Sequence, residues 1–117
     1  ERMIKRAHEL NRQVTANRFG GKGEVVTTHL LEGDLFQGKG RVFAHTVLKP
    51  GCSIGLHKHE GDFETYYILT GEGMYNDNGT LVPVKAGDVL YTADGESHGL
   101  ENTGTTDLEY IALILYS

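Results

Sequence analysis

The most informative stretch of the chain, residues 51–71, reads GCSIGLHKHEGDFETYYILTG. His57 and His59 are two positions apart, so both side chains point to one face if this segment forms a β-strand. A turn at Gly61 followed by a second strand would bring Glu64 to the same side. Two imidazoles and a carboxylate that converge in this way are typical ligands of a divalent metal ion. His98, in a later predicted strand, is a fourth candidate ligand.

The spacing of these residues resembles the first motif of the cupin superfamily, G-x5-H-x-H-x3–4-E-x6-G. Its fixed positions match at Gly51, His57, His59, Glu64 and Gly71. The match therefore covers both framing glycines as well as the three candidate ligands.

A second stretch is similar to the other cupin motif, G-x5-P-x-G-x2-H-x3-N. Gly87, Gly95, His98 and Asn102 match it, and Ala93 stands where the family usually has proline. Proline would stiffen the turn at this position, and the position supplies no ligand. The departure therefore bears on the turn and leaves the candidate ligands intact.

The resemblance implies an all-β fold, a small single-domain jelly roll of the RmlC-like bacterial type. Its short antiparallel strands would form a barrel, or double-stranded β-sandwich. The resemblance also implies that His57, His59, Glu64 and His98 hold one divalent metal ion. Nitrogen and oxygen ligands do not choose among Mn, Fe, Co, Ni, Cu and Zn, because binding to such sites follows general affinity order and metal supply.

The rest of the sequence predicts the same fold class independently of the motifs. The chain has 117 residues, enough for one domain, and 16 of them are glycine. Turn residues recur at short intervals from Glu24 onward and separate eight to ten apolar, β-branched segments, which is typical of an antiparallel sandwich or barrel. We therefore expect one barrel domain over residues 24–117, preceded by an N-terminal arm over residues 1–23.

Basic residues gather in this arm, and we interpret them as a solvated surface: Arg2, Lys5, Arg6, Arg12, Arg18 and Lys22. Residues 19–23, FGGKG, lack the spacing of a phosphate-binding loop and are interpreted as a flexible joint.

The charge balance excludes several classes of partner. Eleven Lys and Arg face 16 Asp and Glu, giving a net charge of −5, which argues against nucleic-acid binding. The longest apolar run, residues 111–115, is far shorter than the ~20 residues of a membrane helix, so no membrane partner is expected. The single Cys52 fits a reducing compartment, and we expect a cytoplasmic protein.

Two further side chains are candidates for a catalytic role. Tyr66 shares parity with Glu64 and is expected to line the cavity, where a substrate contact competes with simple core filling. His45 lies on a predicted strand, either as a substrate contact or as a hydrogen-bonded wall residue. Asp62 and Glu72 are weaker candidates for a general acid or base. Asn102 is interpreted as a hydrogen bonder at a turn or strand end.

Two classes of function remain open. The first is a metal-dependent enzyme (decarboxylase or lyase, isomerase or dioxygenase) acting on a small polar molecule such as a carboxylate or sugar acid. Oxalate processing is one case, but oxalate decarboxylases usually carry an arginine where this chain has Ile54, which removes a carboxylate clamp. The alternative is a non-catalytic module that binds or senses a small ligand.

The last predicted strand, residues 108–116, is apolar at both even and odd positions. One face can fill the barrel, and the other must be covered by a second surface. The sequence therefore predicts a homodimer.

Overall fold

The computed structural model describes residues 3–117. Within this range, ten strands and three short 3-10 helices make up the regular structure. The strands are β1 Asn11–Ala16, β2 Glu24–Leu31, β3 Gly40–Leu48, β4 Ser53–Lys58, β5 Asp62–Thr70, β6 Glu72–Asp77, β7 Thr80–Lys85, β8 Val89–Thr92, β9 Ser97–Glu101 and β10 Leu108–Tyr116. The 3-10 helices are Ala7–Glu9, Arg18–Gly20 and Gly33–Phe36. None of the helices in the described range is long and apolar enough to cross a membrane.

The strands form two antiparallel sheets that face each other. The larger sheet has the order β1-β2-β3-β10-β5-β8, and the smaller has the order β4-β9-β6-β7. From β3 to β10 the chain crosses between the sheets at every step except the β6–β7 hairpin, as in a jelly roll. The predicted all-β jelly-roll fold is confirmed.

The core lies between the two sheets, and the alternation that builds it is clearest on β10. On β10, the side chains of Leu108, Tyr110, Ala112 and Ile114 are buried, whereas the intervening residues are not. Leu100 on β9 is buried in the same cluster from the opposite sheet. Period-2 alternation of this kind leaves one face of each sheet for the interior and the other for the outside.

The turn between β6 and β7 has the geometry that the sequence predicts. Asn78 and Gly79 have φ of 52° and 96°, and they join strands paired from Asp77 to Thr80. A two-residue hairpin loop favours positive φ at both positions because its twist then matches that of the strands.

The N-terminal segment contributes one strand that the sequence did not indicate. Strand β1 pairs with β2 along its whole length, from Asn11 opposite His29 to Ala16 opposite Glu24. It lies at the edge of the larger sheet and is mostly exposed, so its residues show no apolar alternation. The division of the chain into an arm and a barrel at residue 23 stays a prediction.

Candidate metal centre

Four side chains meet inside the barrel at the end nearest the β4–β5 turn. His57 lies on β4, and the sheet register places it directly opposite His98 on β9. His59 follows the end of β4, and Glu64 points inward from β5. One potential ligand atom from each residue lies within 4.8 Å of all the others. His59, Glu64 and His98 are buried, and His57 is half-buried.

The separations among these atoms are short and similar. The Nε2 atom of His98 lies 3.1 Å from Nε2 of His57 and 3.0 Å from Nε2 of His59. Glu64 Oε1 lies 2.9 Å from His59 Nε2 and 3.0 Å from His98 Nε2. Donor atoms about 2.1 Å from a shared ion stand roughly 3.0 Å apart when they subtend a right angle at it.

Each imidazole is anchored through its other nitrogen. His57 Nδ1 donates to the carbonyl oxygen of Gly55 at 2.8 Å. His59 Nδ1 lies 2.6 Å from Asp62 Oδ1. His98 Nδ1 lies 3.0 Å from the Tyr75 hydroxyl and 2.8 Å from Thr92 Oγ1. Outer hydrogen bonds of this type orient metal-binding histidines and select the tautomer.

These anchors fit a metal ion. A carbonyl oxygen only accepts hydrogen bonds, so His57 must carry its proton on Nδ1, and its Nε2 lone pair then faces the cluster. The Asp62 carboxylate favours the same tautomer for His59. Lone pairs that face one another repel unless a cation lies between them. The donor set of three imidazoles and one carboxylate is therefore suited to a divalent metal ion.

The clustered side chains shift one another's pKa values in different directions. Burial alone would raise the pKa of Glu64, but hydrogen bonds from His59 and His98 outweigh it and hold the pKa below its usual value. The hydrogen bond to Glu64 raises the pKa of His59. Burial and the neighbouring His98 lower the pKa of His57 to about 4, so this imidazole is neutral and able to ligate at pH 7.

A cavity of about 330 Å³ opens beside the cluster. Its inner wall includes Tyr66, Tyr110 and Ile54, and three cationic side chains line it as well, Arg18, Arg41 and Lys58. The cavity is large enough for a small organic molecule. Three carboxylates, Glu60, Asp62 and Glu64, line it too and balance the charge of the three cations.

Comparison with known proteins identifies the family. The family model of the Cupin domain matches residues 44–114, which include all four clustered side chains. The chain is a cupin.

Comparisons of both sequence and structure find similarity to Thermotoga maritima proteins over nearly the full length of this cupin. An oxalate-binding protein is 55% identical over 113 residues, which cover 97% of this chain and 93% of the relative. A crystal structure described as a predicted oxalate decarboxylase has a TM-score of 0.93 at 54% identity, covering 98% of this chain and 100% of the other. An RmlC-like cupin from Shewanella frigidimarina has a TM-score of 0.77 at 14% identity, covering 100% and 93%, and shares the fold.

The cupin cavity includes one of the two residues considered for catalysis. Tyr66 is 4% exposed, lines the cavity, and packs its ring 5.1 Å from that of His98. Burial raises its pKa well above the usual value. His45 instead points to the outer face of β3, where its Nε2 lies 3.0 Å from Glu109 Oε1. His45 therefore has no contact with the cavity and is not carried into the proposed function.

Asn102 has the role that its position predicted. Its Nδ2 donates to the carbonyl oxygens of Leu48 and Thr106, and its Oδ1 accepts from the backbone N–H of Gly104. Every polar atom of this buried amide is thus engaged in holding the end of β9.

Sequence reasoning missed the groups that support the ligands of this cupin. Asp62 was considered only as a weak acid or base, but it binds His59 and also accepts from Arg41 Nε at 2.9 Å. Hydrogen bonds from these two residues overcome the effect of burial and lower the pKa of Asp62. Its position three residues after His59 was the available signal, since it lies at the start of β5, between the ligands His59 and Glu64.

The interpretation of the N-terminal segment needs correction. Phe19 does not belong to a free joint, because its ring stacks on that of His57 at 4.0 Å. Arg18 is exposed, as the sequence predicted, and it also lines the cavity. No local pattern revealed either contact, because both depend on how residues 17–21 pack on β4.

Proposed function

We propose that this cupin binds one divalent metal ion through His57, His59, Glu64 and His98, and that the loaded site binds a small carboxylate, with oxalate favoured. The observation that carries the proposal is the cluster of imidazole and carboxylate atoms about 3 Å apart, each imidazole oriented by an outer hydrogen bond. A bound dication would act as a Lewis acid toward an oxygen of the bound carboxylate.

The character of the cavity supports a carboxylate ligand. The three cations and three carboxylates of its lining balance, so a bound dication would give the site the excess positive charge that complements an anion. The 55% identical relative is an oxalate-binding protein. Ile54, which is buried and lines the cavity, lies where oxalate decarboxylases usually have an arginine. We therefore favour binding of oxalate over its decarboxylation.

Isothermal titration with oxalate tests this function directly. Protein loaded with Mn²⁺ or Zn²⁺ is expected to bind about one oxalate per chain. Protein stripped with a chelator is expected to bind it at least about 100-fold more weakly, because the ion is the largest local charge in the site. Equal affinity with and without metal would contradict the proposal. Release of carbon dioxide from oxalate by the manganese form would show that the protein is an oxalate decarboxylase and not only a binding protein.

We also propose that the protein is a homodimer that buries the outer face of the larger sheet. This face exposes aromatic and aliphatic side chains on neighbouring strands: Phe43, Tyr67, Leu69, Val89 and Tyr91. A contiguous apolar surface of this kind on a small domain favours association.

Sedimentation velocity at micromolar concentration tests the dimer. The wild type is expected to sediment with twice the 12.9 kDa mass of the chain. Tyr67→Asp, which places a charge in this face, is expected to raise the dimer dissociation constant at least about 10-fold. Leu81→Asp, at an exposed position on β7 of the smaller sheet, is the matched control and should leave the dimer intact. A monomeric wild type would contradict the proposal.

A further inference from the structure

The mouth of the cavity is built partly by the N-terminal segment. Gln13 and Thr15 line it from β1, and Arg18 and Phe19 line it from the following 3-10 helix. None of these residues belongs to the two motifs that identify the family. They therefore add lining side chains to the cavity that the family motifs do not specify.

The loop that carries Arg18 is held in an unusual conformation. Asn17 and Phe19 have φ of 50° and 51°, in the left-handed region that side chains other than glycine rarely adopt. Asn17 Nδ2 donates to the carbonyl oxygen of Gly21 at 3.1 Å. Phe19 stacks on His57 with only 13° between the ring planes. The loop is thus fixed by contacts on both sides of Arg18.

Close backbone packing fixes the loop on β4 as well. A Cβ atom at Gly21 would overlap the carbonyl oxygen of Ser53, and a Cβ atom at Gly55 would overlap that of Phe19. The backbone of Lys22 also pairs with Ser53, whose N–H donates to the Lys22 carbonyl at 2.8 Å. Only glycine allows these two backbone segments to approach so closely.

Arg18 differs from the other cations of the cavity in its charge environment. Arg41 pairs with Asp62 at 2.9 Å, and Lys58 pairs with Glu60 at 3.4 Å. Over residues 3–117, no carboxylate lies within 4.0 Å of the Arg18 guanidinium nitrogens. Its guanidinium carbon lies 5.0 Å from the centroid of the Phe19 ring. Its charge is available to a ligand in the cavity.

A second polar group in the cavity also lacks a partner. The Tyr110 hydroxyl is buried and makes no hydrogen bond with any residue from 3 to 117. Burial raises the pKa of this hydroxyl, and the positive charge of Arg18 acts in the opposite direction. A buried hydroxyl without a partner is unfavourable unless a ligand or water satisfies it. This hydroxyl therefore marks a polar subsite within the cavity.

We propose that Arg18 is a specificity-determining residue that selects dicarboxylates over monocarboxylates. This inference rests on the proposed function: one carboxylate of the ligand occupies the metal-bound position, and the second meets the Arg18 guanidinium with the Tyr110 hydroxyl beside it. The arginine that oxalate decarboxylases usually carry at the position of Ile54 would thereby be replaced by one from the N-terminal segment. A guanidinium matches a carboxylate with two parallel hydrogen bonds, which a single ammonium group does not provide.

The test compares oxalate, malonate and acetate by isothermal titration of metal-loaded protein. Arg18→Gln is expected to raise the dissociation constants of oxalate and malonate about 10- to 100-fold and that of acetate less than about threefold. Arg18→Lys should fall between wild type and Arg18→Gln, and Tyr110→Phe should weaken both dicarboxylates by about 3- to 10-fold. Arg12→Gln is the matched control, because Arg12 is an exposed arginine on β1 that does not line the cavity. It should change no constant more than twofold.

The outcomes separate this inference from the function on which it rests. If the metal-loaded wild type binds none of the three anions, the proposed function fails and this inference fails with it. If the wild type prefers dicarboxylates and Arg18→Gln keeps the same preference, only the role of Arg18 is overturned. Equal weakening of acetate and oxalate would also overturn it, because Arg18 would then act as a general attractor of anions. Metal content, measured on every sample, excludes loss of the ion as the cause.

Discussion

Replacing His57 and His98 together with alanine is expected to abolish metal binding. The wild type should contain about one divalent ion per chain, and the double variant less than about a tenth of that. The change removes two of four ligands, and it leaves His59 and Glu64 as a pair too weak to retain an ion through purification. Elemental analysis of protein expressed without added metal measures both numbers and identifies the ion.

The matched control is His45→Ala. His45 is also a half-buried histidine on a strand, but it lies on the outer face and contacts Glu109. Its variant should keep the full metal content. Glu64→Gln, which preserves shape and removes one anionic ligand, should retain the fold by circular dichroism and bind the ion more weakly. An unchanged metal content in the double variant, or no metal in the reloaded wild type, would contradict the four-ligand site.

The second large effect is expected at Gly55, the residue that joins the N-terminal loop to the metal cluster. A methyl group at Gly55 would overlap the backbone carbonyl of Phe19. The two backbone segments are also joined by the hydrogen bond from Ser53 N–H to the Lys22 carbonyl, which a shift of either segment would break. Gly55→Ala should therefore lower the free energy of unfolding by about 3 kcal/mol, the upper part of the range for overpacked sites. Urea denaturation followed by circular dichroism measures this change.

Gly104→Ala provides the comparison for this prediction. A Cβ atom there would meet the Cγ atom of Glu72 at 2.9 Å, and this flexible side chain can move aside. We expect a loss of less than about 1 kcal/mol. Equal stabilities of the two variants would show that the loop does not pack on β4 as described. A smaller loss at Gly55, accompanied by altered Phe19 contacts, would mean that the loop detaches while the barrel stays folded.

The sequence by itself determined the fold class and the four clustered side chains. Strand alternation is a local property, so residues two apart share a face wherever the strand lies, and the glycine-rich turns mark where each strand ends. Alternation therefore grouped His57 with His59, and the resemblance to the cupin motifs completed the set with Glu64 and His98. The structure adds that His57 and His98 lie directly opposite each other on β4 and β9.

Only the tertiary structure decided which groups surround the cluster. The partners of His98 are Tyr75 and Thr92, which come from β6 and β8 in different sheets. Arg18 and Phe19 reach the cavity because Gly21 and Gly55 let two distant backbones touch. Local periodicity carries no information about such contacts, since they depend on sheet order, strand register and backbone approach. The sequence did not predict β1 either, because an exposed edge strand buries no face and therefore shows no alternation of apolar and polar residues.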